Sequence, residues 1–237
     1  MNIGIDFDNT IVRYDSLFRE IAFKEKLIGN NWSGRTKTEL RDYLRKGIDG
    51  EKTWMQLQGL VYGKYMYLAK IMPGAGNFLM SCNSRKLQIY IVSHKTEYGH
   101  FDPEKFSLRE EAVKWMEKMR FFEPSYFGLN KKDIFFADTR EEKVNIISRL
   151  NCDWFIDDLP EVFDENHFPK FTNKILFGFY DSSFYKDRTI LTNWGDIFKK
   201  MFNHQTTQDI IFWVKEMTDN PIENVERVSG RGNSAIY

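Results

Sequence analysis

The run Asn2-Ile3-Gly4-Ile5-Asp6-Phe7-Asp8-Asn9-Thr10 constrains this chain more than any other stretch. Its short, Ile-rich start reads as a buried strand, and two carboxylates arrive where that strand should end. Side chains alternate along a strand, so Asp6 and Asp8 face one way while Phe7 faces back into the core. Two acids so close are costly unless a cation neutralises them or one keeps its proton, and both arrangements suit phosphoryl chemistry. A strand closed by an Asx turn at Asn9 is the plainer alternative.

After Pro73-Gly74-Ala75-Gly76 the pattern alternates. Helices are expected over residues 77–84, 108–119 and 140–150, and strands over 87–92, 133–137, 153–156 and 174–180. Strands alternating with helices predict an α/β fold: a Rossmann-like parallel sheet flanked by helices. The region 15–72 lacks strand signals and reads as helices over 16–27, 38–46 and 52–71, an all-helical cap inserted after the first strand. The expected organisation is a core of 1–14 and 73–203, a cap of 15–72, a helix within 204–220, and a linker or the start of another domain at 221–237.

Ligands of such sheets bind at the carboxyl ends of the strands. That rule gathers Asp6, Asp8, Ser93, Asp157 and Asp158 into one crevice. Thr139-Arg140-Glu141-Glu142 reads as a capping box, which puts Lys143 in the first turn of a helix leaving that same edge. Lys131 and Lys132 precede their strand and should sit at its opposite end. Each residue has a dull explanation alone: a turn for Ser93, a solvated helix face for Lys143, a helix cap for Asp157-Asp158. Their ordered arrival at successive strand ends makes coincidence the weaker account.

Composition narrows the alternatives. A length of 237 residues with 42% hydrophobic content can bury one sizeable core and a small accessory unit. Lys+Arg and Asp+Glu balance at 34 each, so no nucleic-acid partner is expected. Cys82 and Cys152 have neither metal-site spacing nor the density of a disulfide scaffold, and read as reduced. No window approaches a membrane span and no leader precedes the first strand, so a cytoplasmic location is expected.

These motifs resemble the haloacid dehalogenase (HAD) superfamily of phosphohydrolases over roughly residues 1–200. Asp6-Phe7-Asp8-Asn9-Thr10 is similar to its Asp-x-Asp-x-Thr first motif, with Asn9 in place of the commoner Gly; Ile91-Val92-Ser93 resembles the second, Lys143 the third and Ile156-Asp157-Asp158 the fourth. The resemblance implies a phosphatase with Asp6 as nucleophile, forming an aspartyl-phosphate, and Asp8 as general acid and base. It implies Mg²⁺ as cofactor, held by Asp6, the Asp8 carbonyl and Asp157, with Asp158 holding a bound water or positioning Lys143. Ser93, Asn9 and Thr10 would hold the phosphoryl oxygens, and Lys143 would offset their charge. The helical insertion favours a small phosphorylated molecule as substrate. A phosphotransferase or mutase using the same intermediate and a non-catalytic regulatory domain are the alternatives. His94, Lys95 and His100, in the segment after Ser93, are possible substrate contacts, as is Arg140.

Helices are expected over 193–202 and 208–217, the second with an apolar stripe of Ile210, Ile211, Trp213, Val214 and Met217. Residues 225–237 weakly resemble the opening Gly-rich hairpin of aminoglycoside-phosphotransferase-like kinases, which would make the chain part of a longer phosphatase–kinase protein. A polar tail is the alternative.

Overall fold

Strand β1 (Asn2–Ile5) runs through the middle of the molecule because every residue in it is accommodated on both sides. Ile3 and Ile5 are fully buried, and Gly4 leaves the room that the neighbouring strand's Phe155 ring fills. A Cβ at Gly4 would stand 2.5 Å from that ring and 2.9 Å from the Cys152 sulfur.

The computed structural model describes residues 1–101 and 104–202. After β1 come β2 (Val12–Arg13), α1 (Asp15–Lys24), α2 (Lys37–Arg45), α3 (Gly50–Tyr62), β3 (Lys70–Ile71) and α4 (Ala75–Ser84). They are followed by β4 (Gln88–His94), α5 (Leu108–Lys118), β5 (Ile134–Ala137), α6 (Arg140–Arg149) and β6 (Trp154–Asp157). The last elements are α7 (Pro160–Phe163), β7 (Asn173–Phe177), β8 (Thr189–Leu191) and α8 (Trp194–Phe202). The expected helix over 208–217 and the hairpin over 225–237 lie outside the described residues.

Six strands form one parallel sheet in the order β5-β4-β1-β6-β7-β8. The chain builds outward from β1 to one side through β4 and β5, then returns to the other side through β6. The switch in strand order therefore falls at β1, where open α/β sheets bind ligands. Alternation along the strands supplies two cores. Ile3, Ile5, Ile91 and Ile156 pack with α1, α4, α5 and α8, while Val92, Phe155 and Leu176 pack with α6 and α7.

Helices α1, α2 and α3 pack on one another between β2 and β3, which pair antiparallel as a two-stranded stem. Thr36 starts α2 with a full capping box: its hydroxyl accepts from the Glu39 amide and Glu39 accepts from the Thr36 amide. Two expected boundaries differ. The helix foreseen over 52–71 stops at Tyr62, because Gly63 is pressed against Phe106 and the chain must turn back to lay Lys70 beside Arg13. The strand foreseen to residue 180 stops at Phe177, because Gly178 adopts φ +143° and turns away. Strand β8 was not foreseen; its three residues are too few to carry a periodic signal.

Among the described residues no helix is long and apolar enough to cross a membrane.

Candidate active site

The first strand delivers its acids through a tight turn. The Phe7 carbonyl accepts from the amides of both Ile11 and Val12, and Asn9 takes φ +61° to close the loop. Only Gly, Asn and Asp visit that left-handed region at little cost, which accounts for an amide at a place the related motif commonly gives to Gly. Phe7 points inward and meets Trp115 edge-on at 5.6 Å, so Asp6 and Asp8 are left facing the crevice.

Lys143 ties three strands' worth of sequence together. Thr139 caps α6 by accepting from the Glu142 amide. The expected box is half made, since Glu142 accepts instead from the Asp138 amide. The first turn aims Lys143 back over the sheet, where its ammonium donates to Asp6 Oδ1 and to Asp157 Oδ2, both at 2.6 Å. All three side chains are buried. Lys131 and Lys132 sit before β5, at the opposite end, as expected.

Asp158 completes the cluster: carboxylate oxygens of Asp6, Asp157 and Asp158 lie within 4.8 Å of one another. Burial, together with Asp157 and Asp8 and against the pull of Lys143, pushes Asp6 up to about 7. Burial also raises Asp157 and, aided by Asp6 and Asp157, holds Asp158 well above the usual carboxylate range. Burial pulls Lys143 down, but Asp157 and Asp6 outweigh it and keep the ammonium charged. Three carboxylates share one ammonium here, so with all three ionised two negative charges would be left uncompensated in a buried space, and burial instead favours their protonated forms. Hard oxygen donors with that excess charge fit a divalent cation. Asp157 already holds Lys143 and the Leu159 amide, at 2.9 Å, whereas the Asp158 carboxylate makes no hydrogen bond to a described residue.

Two hydroxyls at the same edge, Thr10 Oγ1 and Ser93 Oγ, are fully buried and have no partner among the described residues. Buried hydroxyls ordinarily find partners, so two orphaned ones at the carboxyl edge of the sheet fit an oxyanion.

Asp8 stands apart from the three-acid cluster. Tyr14 donates to Asp8 Oδ1 at 2.5 Å, and Lys95 Nζ lies 2.8 Å from Asp8 Oδ2. Burial first, and then the Asp8 carboxylate, keep the Tyr14 phenol well above its ordinary value, so it remains a donor. Lys95 is itself buried and sits 4.7 Å from the centre of the Tyr62 ring. A cleft of about 190 Å³ opens beside this pair, walled by Asp8, His94 and Lys95 on the sheet edge and by Met55, Gln58 and Tyr62 on α3.

His94, at the end of β4, and Lys95 and His100, in the segment after it, all reach the cleft. His94 also touches the Asp138 carbonyl through Nε2 at 3.0 Å, and Arg109 grips both the Lys95 carbonyl and Asp138. Arg140 is exposed, and no described contact joins it to the site. Sequence reasoning missed Tyr14, Lys37 and Arg109. Lys37 Nζ donates to Tyr62 Oη at 2.6 Å. Helical spacing marks such residues as surface or core and carries no sign of the crevice they reach.

No protein-family model matches the chain, and no curated protein matches it in sequence. Solved structures do share its fold. A predicted phosphatase from Clostridium acetobutylicum is similar with a TM-score of 0.55 at 14% identity, covering 85% of this chain and 98% of that one. A HAD family hydrolase of Deinococcus radiodurans, with bound phosphate and sodium, gives 0.53 at 9% identity over 84% and 94%. A family IA HAD hydrolase of Entamoeba histolytica gives 0.51 at 13% identity over 90% and 99%. The chain has the fold of the HAD-superfamily hydrolases.

Proposed function

We propose that this chain is a Mg²⁺-dependent phosphomonoester hydrolase acting on a small phosphorylated molecule through an aspartyl-phosphate on Asp6. The observation that carries the reading is Lys143 bridging Asp6 and Asp157 at 2.6 Å each, at the switch point of the sheet, with Asp158 beside them. A structural ion pair would need one carboxylate, and this one has gathered two with a third beside them.

The substrate's phosphoryl oxygens bind the Ser93 and Thr10 hydroxyls, with Asn9 contributing at the turn, and Lys143 offsets their charge. An Asp6 carboxylate oxygen attacks phosphorus, the ester P–O bond breaks, and Asp8, having taken up a proton as the anionic substrate binds, gives that proton to the departing alkoxide. Water then attacks the acyl phosphate, Asp8 takes the proton back, and Asp6 is released with inorganic phosphate. Asp6, Asp157, Asp158 and the Asp8 carbonyl would hold the Mg²⁺, which when bound neutralises the excess carboxylate charge and the phosphate's own. Tyr14 and Lys95 fix Asp8 in one orientation, which proton transfer in two directions requires. Helices α1 to α3 act as the cap, closing a leaving-group cleft against the sheet edge and excluding bulk water.

Phosphate release from a panel of small phosphomonoesters, with and without Mg²⁺ and beside Asp6→Asn, tests this. Metal-dependent turnover that drops at least about a thousandfold in the variant is expected. Turnover indifferent to Asp6→Asn, or none on any ester, overturns it. Added acceptor alcohols that divert phosphate from water would identify a phosphotransferase instead.

A further inference from the structure

The cleft beside Asp8 is where the leaving group must lie, since Asp8 is the residue that protonates it; the inference below rests on that reading. Its charges are one-sided. The Asp8 carboxylate is matched by Lys95 at 2.8 Å, so the pair cancels. The two other lining groups able to carry charge are His94 and His100. Among the described residues no second carboxylate lines the cleft to accept the hydroxyls of a neutral polyol, and Gln58 is its single side-chain amide.

Behind the wall stands a further cation. Lys37, the first residue of α2, extends from a capped and therefore fixed helix start to the Tyr62 hydroxyl at 2.6 Å. The rings of Phe18, at 5.0 Å, and Tyr62, at 5.3 Å, cover its ammonium. Among the described residues no carboxylate comes within ion-pairing distance of it. The Asp8 and Asp158 carboxylates are near enough to raise its affinity for a proton, although burial, the largest influence, lowers it; Tyr62 also raises it, and the net direction is upward. The ammonium is therefore kept charged on aromatic faces with one hydroxyl as its hydrogen-bond partner, which leaves its remaining N–H donors for an anionic group brought by a ligand. Tyr62 is the common wall: it lines the cleft, Lys95 faces its ring and Lys37 holds its hydroxyl.

We infer that Lys37, held by the hydroxyl of the wall residue Tyr62 directly behind the leaving-group cleft, is a specificity-determining residue that receives a second anionic group, a carboxylate or a second phosphate, carried by the substrate. The transferred phosphoryl group is served by Ser93, Thr10 and Lys143; Lys37 serves the other end. Substrates of this class are phosphorylated acids and bisphosphates, and neutral phosphosugars are discriminated against.

A matched pair of probes isolates the second anion. 3-Phosphoglycerate and glycerol 3-phosphate share a three-carbon skeleton and differ in a carboxylate against a hydroxymethyl. Calorimetric binding of both to the full chain carrying Asp6→Asn, and kcat/KM for both with the active chain, give a preference ratio that needs no variant. The wild-type ratio is expected to favour 3-phosphoglycerate by at least about tenfold. Lys37→Met should cut that ratio about tenfold, mainly through KM, and Lys37→Arg should restore most of it. Lys37→Gln, which keeps a donor for Tyr62, serves if the Met variant does not fold. A wild-type ratio near one, or a ratio unmoved by loss of the ammonium, overturns the inference. Preferential binding without turnover of any ester would sink the phosphatase reading and uphold this one, whereas turnover without preference would do the reverse.

Discussion

Lys95 Nζ and Asp8 Oδ2 lie 2.8 Å apart at the mouth of the cleft, one from the end of β4 and the other from the turn after β1. Two loops on adjacent strands are thereby locked in register at the place where the proposed proton transfer occurs. Lys95→Met removes the counter-charge from a largely buried carboxylate, while Tyr14 still holds its other oxygen. A loss of about 2 kcal/mol in unfolding free energy is expected by urea denaturation, together with at least about a tenfold fall in kcat. Unchanged kcat would show that Lys95 serves the fold alone.

Lys143 is the harder residue to lose. Its removal leaves Asp6 and Asp157 buried and facing each other without an ammonium. Lys143→Met should destabilise the metal-free protein by about 3 kcal/mol, and Mg²⁺ should recover part of that, because a dication can replace the missing charge. Denaturation curves with and without Mg²⁺ measure both effects. A variant as stable as wild type in EDTA contradicts the charge accounting.

The acids also set a pH dependence. In the metal-free protein Asp6 titrates at about 7 rather than at its ordinary 3.8, with burial as the main cause. Between those values the folded state holds a proton that the unfolded state has released, so this group lowers stability as pH rises and contributes no further slope above about 7. Binding of a cation displaces that proton. The rise in Tm on adding Mg²⁺ should therefore be larger near pH 8 than near pH 5, and a calorimetric scan at the two pH values decides it.

Gly4 is expected to be intolerant even of one methyl group. Its Cβ would press on the Phe155 ring at 2.5 Å and the Cys152 sulfur at 2.9 Å, across the two central strands. Gly4→Ala should cost about 1–3 kcal/mol in chemical denaturation, with Gly4→Val costing more. A cost below about 0.5 kcal/mol would mean that β1 and β6 can separate without penalty.

The motif residues were legible because their chemistry and their place on the strand coincide. Ile3 and Ile5 mark a buried strand, Asp6 and Asp8 its end, and Ser93, Asp157 and Asp158 the ends of two more; a parallel sheet then has no choice but to bring them to one edge. Lys143 was legible for a similar reason, since Thr139 fixes where its helix begins and so which way its first turn points. Local signals also gave α2 and α8 to within a residue or so. Where the signal was only composition, it misled: the aromatic run after Gly50 reads as one long helix, and tertiary contact at Gly63 ends it at Tyr62.

Tertiary structure alone decided which residues of the helical insertion reach the crevice. Tyr14 immediately precedes α1, and Lys37 and Tyr62 lie within a helical region whose tyrosines and lysines look alike in sequence; helical periodicity reports burial on a helix, never what the helix is packed against. The pairing of Lys95 with Asp8 was equally hidden, because the residues are 87 positions apart and only the β1–β4 register brings them together. Chain-local physics determines strands, turns and the chemistry they carry; which charges meet across elements is fixed by the order of strands in the sheet and by the angle at which the helices return to it.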